Sequence, residues 1–505
     1  MVILEQLEII KNDSVIRAIP YGAITKEEYG RELSDMEAIA DKVFAFTDDG
    51  RGVQSANVMY EAMLMGAKLN KAIVAHCEDN SLIRGGAMHE GKRSAELGIK
   101  GIPSICESTQ IARDILLAEA ANCHYHVCHI SAKESVRAVR EGKKKELWGT
   151  NVNFASTFPV AEFGVTQEFE YSRVSAPTRN ELEEIIAALE NGKYAYAFSS
   201  GMATTTSVFT MFSAGDHIIL GQDIYGGTYR VLHDIYSRFG IESTFVDTTD
   251  LENIRKALKP NTKAIFIETP SNPLLDVTDI RGVVKLAKEH NLITIADNTF
   301  MTPYLQKPLD FGIDIVVHSA TKFLSGHHDL LGGVAITNDE ELAEKIKFSQ
   351  VAAGALISPF DSWLLMRSLK TLKLRVEAAQ TNAEKLIEFF QSHDAVDKIY
   401  YPTLDTNKGK KIHESQATGG GSVFSFTLKD DSKVKTFFES LNVALFAASL
   451  GGAETLVTHP STITHAEMPE EEKEARGFTH SLIRVAAGFE NIDDLIEDFK
   501  QALEK

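Results

Sequence analysis

Lys322 lies in the stretch HSATKFLSGHHDLLGG, residues 318–333, directly after an apolar run at 312–317 that reads as a buried strand. A lysine at a strand end, with Ser319 and Thr321 before it and a glycine-rich turn behind it, can present an imine-forming amine and phosphate-binding donors to one pocket. Taken alone, a strand-end lysine is most often solvated, so the other reactive residues decide. Asp297, in IADNTF, ends another apolar run 25 residues earlier, a spacing that leaves room for one crossover helix and brings both side chains to one edge of a sheet. A carboxylate there can keep a pyridine nitrogen protonated, although the same residue could cap a helix. In SSGMATTTS at 199–207, amides near Gly201 and Met202 would be free at a helix N-terminus to hold a phosphate. Tyr225, in DIYGGTYR, could stack on a ring or simply pack.

Those residues need elements to hold them together. From Tyr194 onward, short apolar runs at 194–198, 217–220, 243–246, 264–267, 292–296, 313–318 and 334–336 alternate with helix-length stretches. The pattern predicts a mostly parallel sheet covered on both faces, and in such sheets ligands bind beyond the carboxyl ends of the strands. From about Ile387, the Gly419–Gly421 turn and an alternating stretch at 423–428 predict a smaller α/β domain closing over the site, with the acidic C-terminal helix read as a solvated face. Between about Tyr29 and Gly142, runs at 43–46, 72–75 and 125–128 alternate with amphipathic stretches as parallel α/β units do. Each is followed by polar groups: Thr47 to Asp49, His76 to Asp79, and His129 to Ser131. Carboxylate and imidazole at successive strand ends is what a metal site at the top of a parallel barrel requires. Equally, His124, His126 and His129 could be unrelated polar residues on a half-exposed strand.

The chain has 505 residues, 44% hydrophobic and 24% charged, enough for roughly three domains. Its net charge of −19 and the absence of a long Lys/Arg run argue against nucleic acid or an anionic membrane and favour small molecules and protein partners. No apolar run approaches the roughly 20 residues of a membrane span. The early acids of MVILEQLEIIKND do not fit a secretory signal, so a cytoplasmic protein is expected. All four cysteines, Cys77, Cys106, Cys123 and Cys128, lie in the first third without CxxC spacing and are read as reduced thiols. Residues 1–146 hold 22 acidic and 19 basic side chains, the remainder 49 and 33. That shift, with the basic run EGKKKELWG around Glu141 to Trp148, suggests a join between sequences of different origin.

Taken in order, YSR at 171–173, SSGMA at 199–203, YGGTYR at 225–230, SNP at 271–273, ADNTF at 296–300, SATK at 319–322, SLGGAE at 449–454 and LIRVAAG at 482–488 form one series. It resembles the Cys/Met-metabolism enzymes dependent on pyridoxal phosphate (PLP), over nearly all of residues 150–505. The resemblance implies a fold-type-I, transferase-like α/β architecture: a mostly parallel sheet plus a smaller C-terminal α/β domain. It implies Lys322 as the Schiff-base lysine, Asp297 as partner of the ring nitrogen, and Gly201, Met202, Ser319 and Thr321 around the phosphate. Tyr171 and Arg173 match a YxR pair that reaches the phosphate of a neighbouring subunit, which implies a homo-oligomer, a tetramer built from dimers, with shared sites. Arg484 matches the arginine that takes the substrate α-carboxylate, with Ser449 and Asn272 beside it. The activity implied is cleavage of cystathionine by β- or γ-elimination, with Lys322 moving the Cα proton and Tyr225 assisting. Replacement chemistry of the cystathionine γ-synthase type is the alternative. Gly227 stands where methionine γ-lyases usually carry cysteine, and Ala448 where some γ-lyases carry an acid.

FTDDG at 46–50, AHCED at 75–79, GIPSICESTQIARDILLAE at 101–119 and HYHVCHISAKESV at 124–136 resemble the middle of a bacterial dihydroorotase over most of residues 15–142. That implies His76, His129 and one of Asp48 or Asp49 as counterparts of zinc ligands, and a zinc amidohydrolase as a competing function of a different class. The early HxH strand and the late aspartate base of that family have no counterpart here. The expectation is therefore a partial (β/α) barrel without hydrolase activity and without bound metal, standing in place of the PLP family's N-terminal arm. Three domains are expected: 1–145, the dihydroorotase-like fragment; 146–386, the large PLP-binding domain; and 387–505, the small domain.

Overall fold

The computed structural model describes residues 19–50, 52–143, 152–160, 167–463 and 476–505, with a few single positions between them. Most of the join expected at Glu141 to Trp148 lies outside these residues. The chain divides into two compact units, Met1–Thr150 and Asn151–Lys505.

In the first unit, β1 (Gly22–Ala23), β2 (Phe46–Asp48), β3 (Ile73–Ala75) and β4 (Tyr125–Val127) form a four-stranded parallel sheet in that order. A closed (β/α)8 barrel has eight strands. Phe46, Ile73 and Tyr125, cross-strand partners in register, point to one face. There they join Met59 and Met63 of α1 (Ala56–Leu69) and Ile111 of α2 (Ile105–Ala121) in a core of their own. The strand expected at 43–46 instead runs from Phe46 to Asp48, and Phe44 is exposed. Asp48 can end a buried strand because Thr25 satisfies its carboxylate from both the backbone N–H, at 2.9 Å, and the hydroxyl. Cys77, Cys106 and Cys123 are buried, Cys128 is exposed, and all four are unpaired.

The second unit holds a seven-stranded sheet: β5 (Tyr194–Phe198), β6 (His217–Gly221), β7 (Glu242–Val246), β8 (Thr262–Glu268), β9 (Ile293–Asp297), β10 (Ile315–Ser319) and β11 (Gly333–Thr337). Their spatial order is β5-β11-β10-β9-β8-β6-β7. Only β11 runs against its neighbours. The expected strands are all present, with ends shifted by one or two residues. The strands are apolar in both parities because both faces are covered. Ile219, Ile265, Ile267, Val316 and Ile336 enter one core, while Ile218, Leu220, Phe266, Ile295 and Val317 enter the other. The consequence for function is positional: β8, β9 and β10 run side by side and end in Glu268, Asp297 and Ser319.

Beyond it, α4 (Leu372–Ser392) leads into a five-stranded sheet of β12 (Val396–Tyr400), β13 (Val423–Leu428), β14 (Leu445–Phe446), β15 (Leu456–Thr458) and β16 (Leu482–Ala486). A domain boundary at 386 would fall inside α4. β13 was expected to alternate in exposure, yet all six of its residues are buried, because α4 and α5 (Ile492–Leu503) pack on one face while the other meets the larger sheet's domain, where Val423 joins its core and Ser425 donates to the Pro273 carbonyl. Phe390 and Phe426 stack there with ring centroids 4.5 Å apart. The acidic α5 is only half a solvated face. Asp498 is buried and accepts the backbone N–H groups of Asn442, Val443 and Ala444 at 2.8–2.9 Å.

Candidate active site

β5 ends at Phe198, and the Ser200 hydroxyl accepts the N–H of Ala203 at 3.0 Å, capping α3 (Gly201–Phe209). The first amides of α3 have no partner within the helix. Ser319, at the end of β10, lies against them: a Cβ on Gly201 would fall 2.8 Å from the Ser319 Cβ, so only glycine permits the approach. Thr321 follows one turn on, its hydroxyl taking the Gly332 N–H at 3.1 Å. These donors line one wall of a cavity of about 480 Å³. Every site residue expected in this unit lines the same cavity except Tyr171 and Arg173. A larger cleft, about 850 Å³, is lined by groups such as Gln222, Asp276, Lys398 and Tyr400 and gathers none of the expected chemistry.

Opposite that wall, Lys322, Ser449 and Arg484 form a linked set. The Lys322 ammonium donates to Ser449 Oγ at 2.6 Å, and Arg484 Nη2 donates to the Ser449 carbonyl at 2.7 Å. Ser449 has φ +101°, a backbone conformation that costs about 1–3 kcal/mol in a non-glycine residue and persists only where the surroundings enforce it. Lys322 holds its hydroxyl and Arg484 its carbonyl. The Arg484 guanidinium is pinned further by Asn272 Oδ1 at 3.0 Å and Thr458 Oγ1 at 3.2 Å. Burial, then the positive charge of Arg484, lowers the Lys322 pKa to about 8. Burial also brings Arg484 down to about 10, still charged at neutral pH.

The floor is made of strand ends. Asp297 accepts the Thr299 N–H at 2.9 Å, and the Thr299 hydroxyl in turn accepts the Ser319 N–H at 2.9 Å, so β9 and β10 are tied where their side chains meet the cavity. Tyr225 stands at the rim, 50% exposed, with its backbone N–H bonded to Glu268 Oε2 at 2.9 Å. A Cβ on Gly227 would lie 2.5 Å from the Tyr225 ring and 2.7 Å from Met202 Sδ, so the glycine leaves room for the ring.

Sequence reasoning missed Glu268, in FIETP, although the rule that selected Asp297 also applies to it: a carboxylate at the end of the adjacent parallel strand. It missed Thr458, whose contact with Arg484 crosses from β15 to β16 and leaves no trace in local sequence. Tyr171 is 45% exposed, Arg173 stacks over it at 5.4 Å, and Arg173 Nη1 donates to the Val351 carbonyl at 2.9 Å, so both lie on the surface of this chain.

The first unit brings together only part of its expected set. His76 Nδ1 and His129 Nε2 lie 3.1 Å apart. Asp48 is turned inward to Thr25 and Asp49 is exposed. Among the described residues no group of three or more His, Cys, Asp or Glu side chains is arranged to hold a metal ion.

The family model for Cys/Met metabolism PLP-dependent enzymes matches residues 135–504. The chain belongs to that family. A second model, dihydro-orotase-like, matches residues 3–135. Cystathionine beta-lyase MetC of Bacillus subtilis is 50% identical over 354 residues, covering 70% of this chain and 91% of that protein. Cystathionine gamma-synthase of Haemophilus influenzae is 41% identical over 394 residues, 78% of this chain and 98% of that protein. The crystal structure of cystathionine gamma-lyase from Lactobacillus plantarum with L-serine superposes with TM-score 0.69 at 45% identity, over 70% of this chain and 93% of that one. The family's fold-type-I architecture and PLP dependence are therefore properties of this chain. The site suits that cofactor on its own terms: a glycine-opened helix N-terminus beside two hydroxyls for a phosphate, a half-buried amine with lowered basicity, and a half-buried carboxylate on the cavity floor.

Proposed function

We propose that the chain is a PLP-dependent carbon–sulfur lyase that cleaves cystathionine. The observation that carries the reading is the bridge through Ser449, which fixes an amine of lowered pKa and a pinned guanidinium on one wall of the cavity. In this reading Gly201, Met202, Ser319 and Thr321 would hold the cofactor's phosphate, Lys322 would offer the amine that anchors it, and Asp297 would keep its ring nitrogen protonated. The bound cofactor supplies the sink for the electron pair left when Cα loses its proton.

The chain's own residues do the rest. Arg484, unable to rotate away from Asn272 and Thr458, pairs with the substrate α-carboxylate and so presents Cα toward Lys322. Lys322, freed when the substrate's amino group takes its place, would have a pKa near 8, be largely neutral under mildly alkaline conditions, and take the Cα proton. Tyr225, at the rim, hands a proton to the departing sulfur. Tyr171 and Arg173, on the surface of this chain, serve the phosphate of a neighbouring subunit, so the working form is a homo-oligomer, a tetramer built from dimers. A cytoplasmic protein accords with its four unpaired thiols. No helix among the described residues is long and apolar enough to cross a membrane. The test is incubation of the PLP-loaded protein with cystathionine. Cleavage on the β side gives homocysteine, pyruvate and ammonia, cleavage on the γ side gives cysteine, 2-oxobutanoate and ammonia, and the absence of both product sets would sink the proposal.

A further inference from the structure

Glu268 and Asp297 are direct partners across the parallel pair β8 and β9, which sets their Cα atoms about 5 Å apart. Both side chains line the floor of the cavity. Carboxyl groups at the ends of adjacent strands disfavour each other's ionisation. Their surroundings differ. Asp297 accepts the Thr299 N–H at 2.9 Å and has the imidazole of His318 nearby on β10. Glu268 accepts the Tyr225 N–H at 2.9 Å, faces the carboxyls of Asp297 and Asp223, and has Arg484 as its cationic neighbour. Lys322 and Arg230 are the other charged side chains lining the cavity.

We propose that Glu268 is a positioning residue that acts as a neutral carboxyl, fixing Tyr225 at the rim and leaving Asp297 as the single anion on the cavity floor. The inference rests on Asp297 being the residue that meets the cofactor's ring nitrogen. Burial and then the charge of Asp297 push Glu268 well above the usual carboxylate range; the Tyr225 N–H and Arg484 oppose this, while Asp223 adds to it. Asp297 is raised by its burial but held back by Thr299 and His318, so the proton stays on Glu268. Two functional consequences follow. One anion remains to match one protonated ring nitrogen. Arg484 also keeps its charge for a substrate carboxylate, whereas an ionised Glu268 beside it would compete for the same guanidinium.

Infrared difference spectroscopy on the full-length apoprotein tests the protonation state without cofactor. Because Asp114 and Asp223 are raised to about 6, the diagnostic signal is a protonated-carboxyl carbonyl band that persists at about pH 8, is lost in Glu268→Gln and survives in Asp297→Asn. In the PLP-loaded enzyme, Glu268→Ala should lose about tenfold or more in kcat/KM, and Glu268→Gln, an uncharged replacement of the same shape, should recover all but roughly threefold of the wild-type value. A missing band, or a Gln variant as impaired as the Ala variant, overturns the proposal. Should Glu268→Ala fail to fold, the Gln variant and the band decide. If Asp297→Asn binds PLP with wild-type affinity and absorbance, the reading of Asp297 fails, and with it the pairing proposed here, while the band still reports on Glu268 by itself.

Discussion

Both units of the chain place polar side chains at the ends of parallel strands, yet only one of them makes a site from them. In the second unit Glu268, Asp297 and Ser319 end three adjacent strands, and β16 and the Ser449 turn bring Arg484 and Ser449 against the same cavity, with Thr458 of β15 pinning Arg484 from behind. In the first unit four short strands carry Asp48, His76 and His129, but Asp48 is committed to Thr25 and only the two imidazoles meet. The difference lies less in residue type than in what surrounds the strand ends. A polar group at the carboxyl end of a strand becomes chemistry when other elements converge on it and its own bonding capacity is left open. Otherwise it is a structural hydrogen bond.

That contrast can be broken or sharpened by substitution. The largest effect should come from Lys322→Ala, with turnover of cystathionine falling on the order of 10³-fold or more and the visible absorbance of the bound cofactor shifting to that of the free form. Activity within tenfold of wild type would detach the chemistry from this lysine. Asp297→Asn should lower kcat by about 10²–10³-fold with KM little changed. Arg484→Lys replaces a pinned planar fork by a single ammonium and should weaken substrate binding by about 2 kcal/mol, roughly 30-fold in KM. A smaller, graded effect is expected with pH. The ammonium form of Lys322 cannot react with an aldehyde, so the rate at which apoprotein takes up PLP should climb as pH rises through about 8 and then level off. Because Arg484 contributes to the lowering after burial, Arg484→Met should move that midpoint to higher pH. A rate still climbing without levelling beyond about pH 9 would contradict the lowered basicity. The smallest effect belongs to the first unit: His129→Ala should change turnover of sulfur amino acids by no more than about twofold.

How much was legible in the sequence follows the same line. Lys322, Asp297, Gly201 and Tyr225 could be picked out because each sits at a strand end or helix start, and the seven strands were readable because a sheet covered on both faces leaves continuous apolar runs. Glu268 was readable by that rule and was passed over. The link from Thr458 to Arg484 and the φ of +101° at Ser449 were not legible, since both arise from contacts between segments distant in the chain. In the first unit the residue types invited a metal site, and nothing local to Asp48 betrays that Thr25, 23 residues earlier, takes up its carboxylate.

The most direct test of the central claim is product analysis after incubating the PLP-loaded full-length protein, and its Lys322→Ala variant, with cystathionine. The account predicts a 2-oxo acid, ammonia and a free thiol in equal amounts from the first and none from the second. Equal turnover by both proteins, or no turnover by the wild type despite bound PLP, would contradict it.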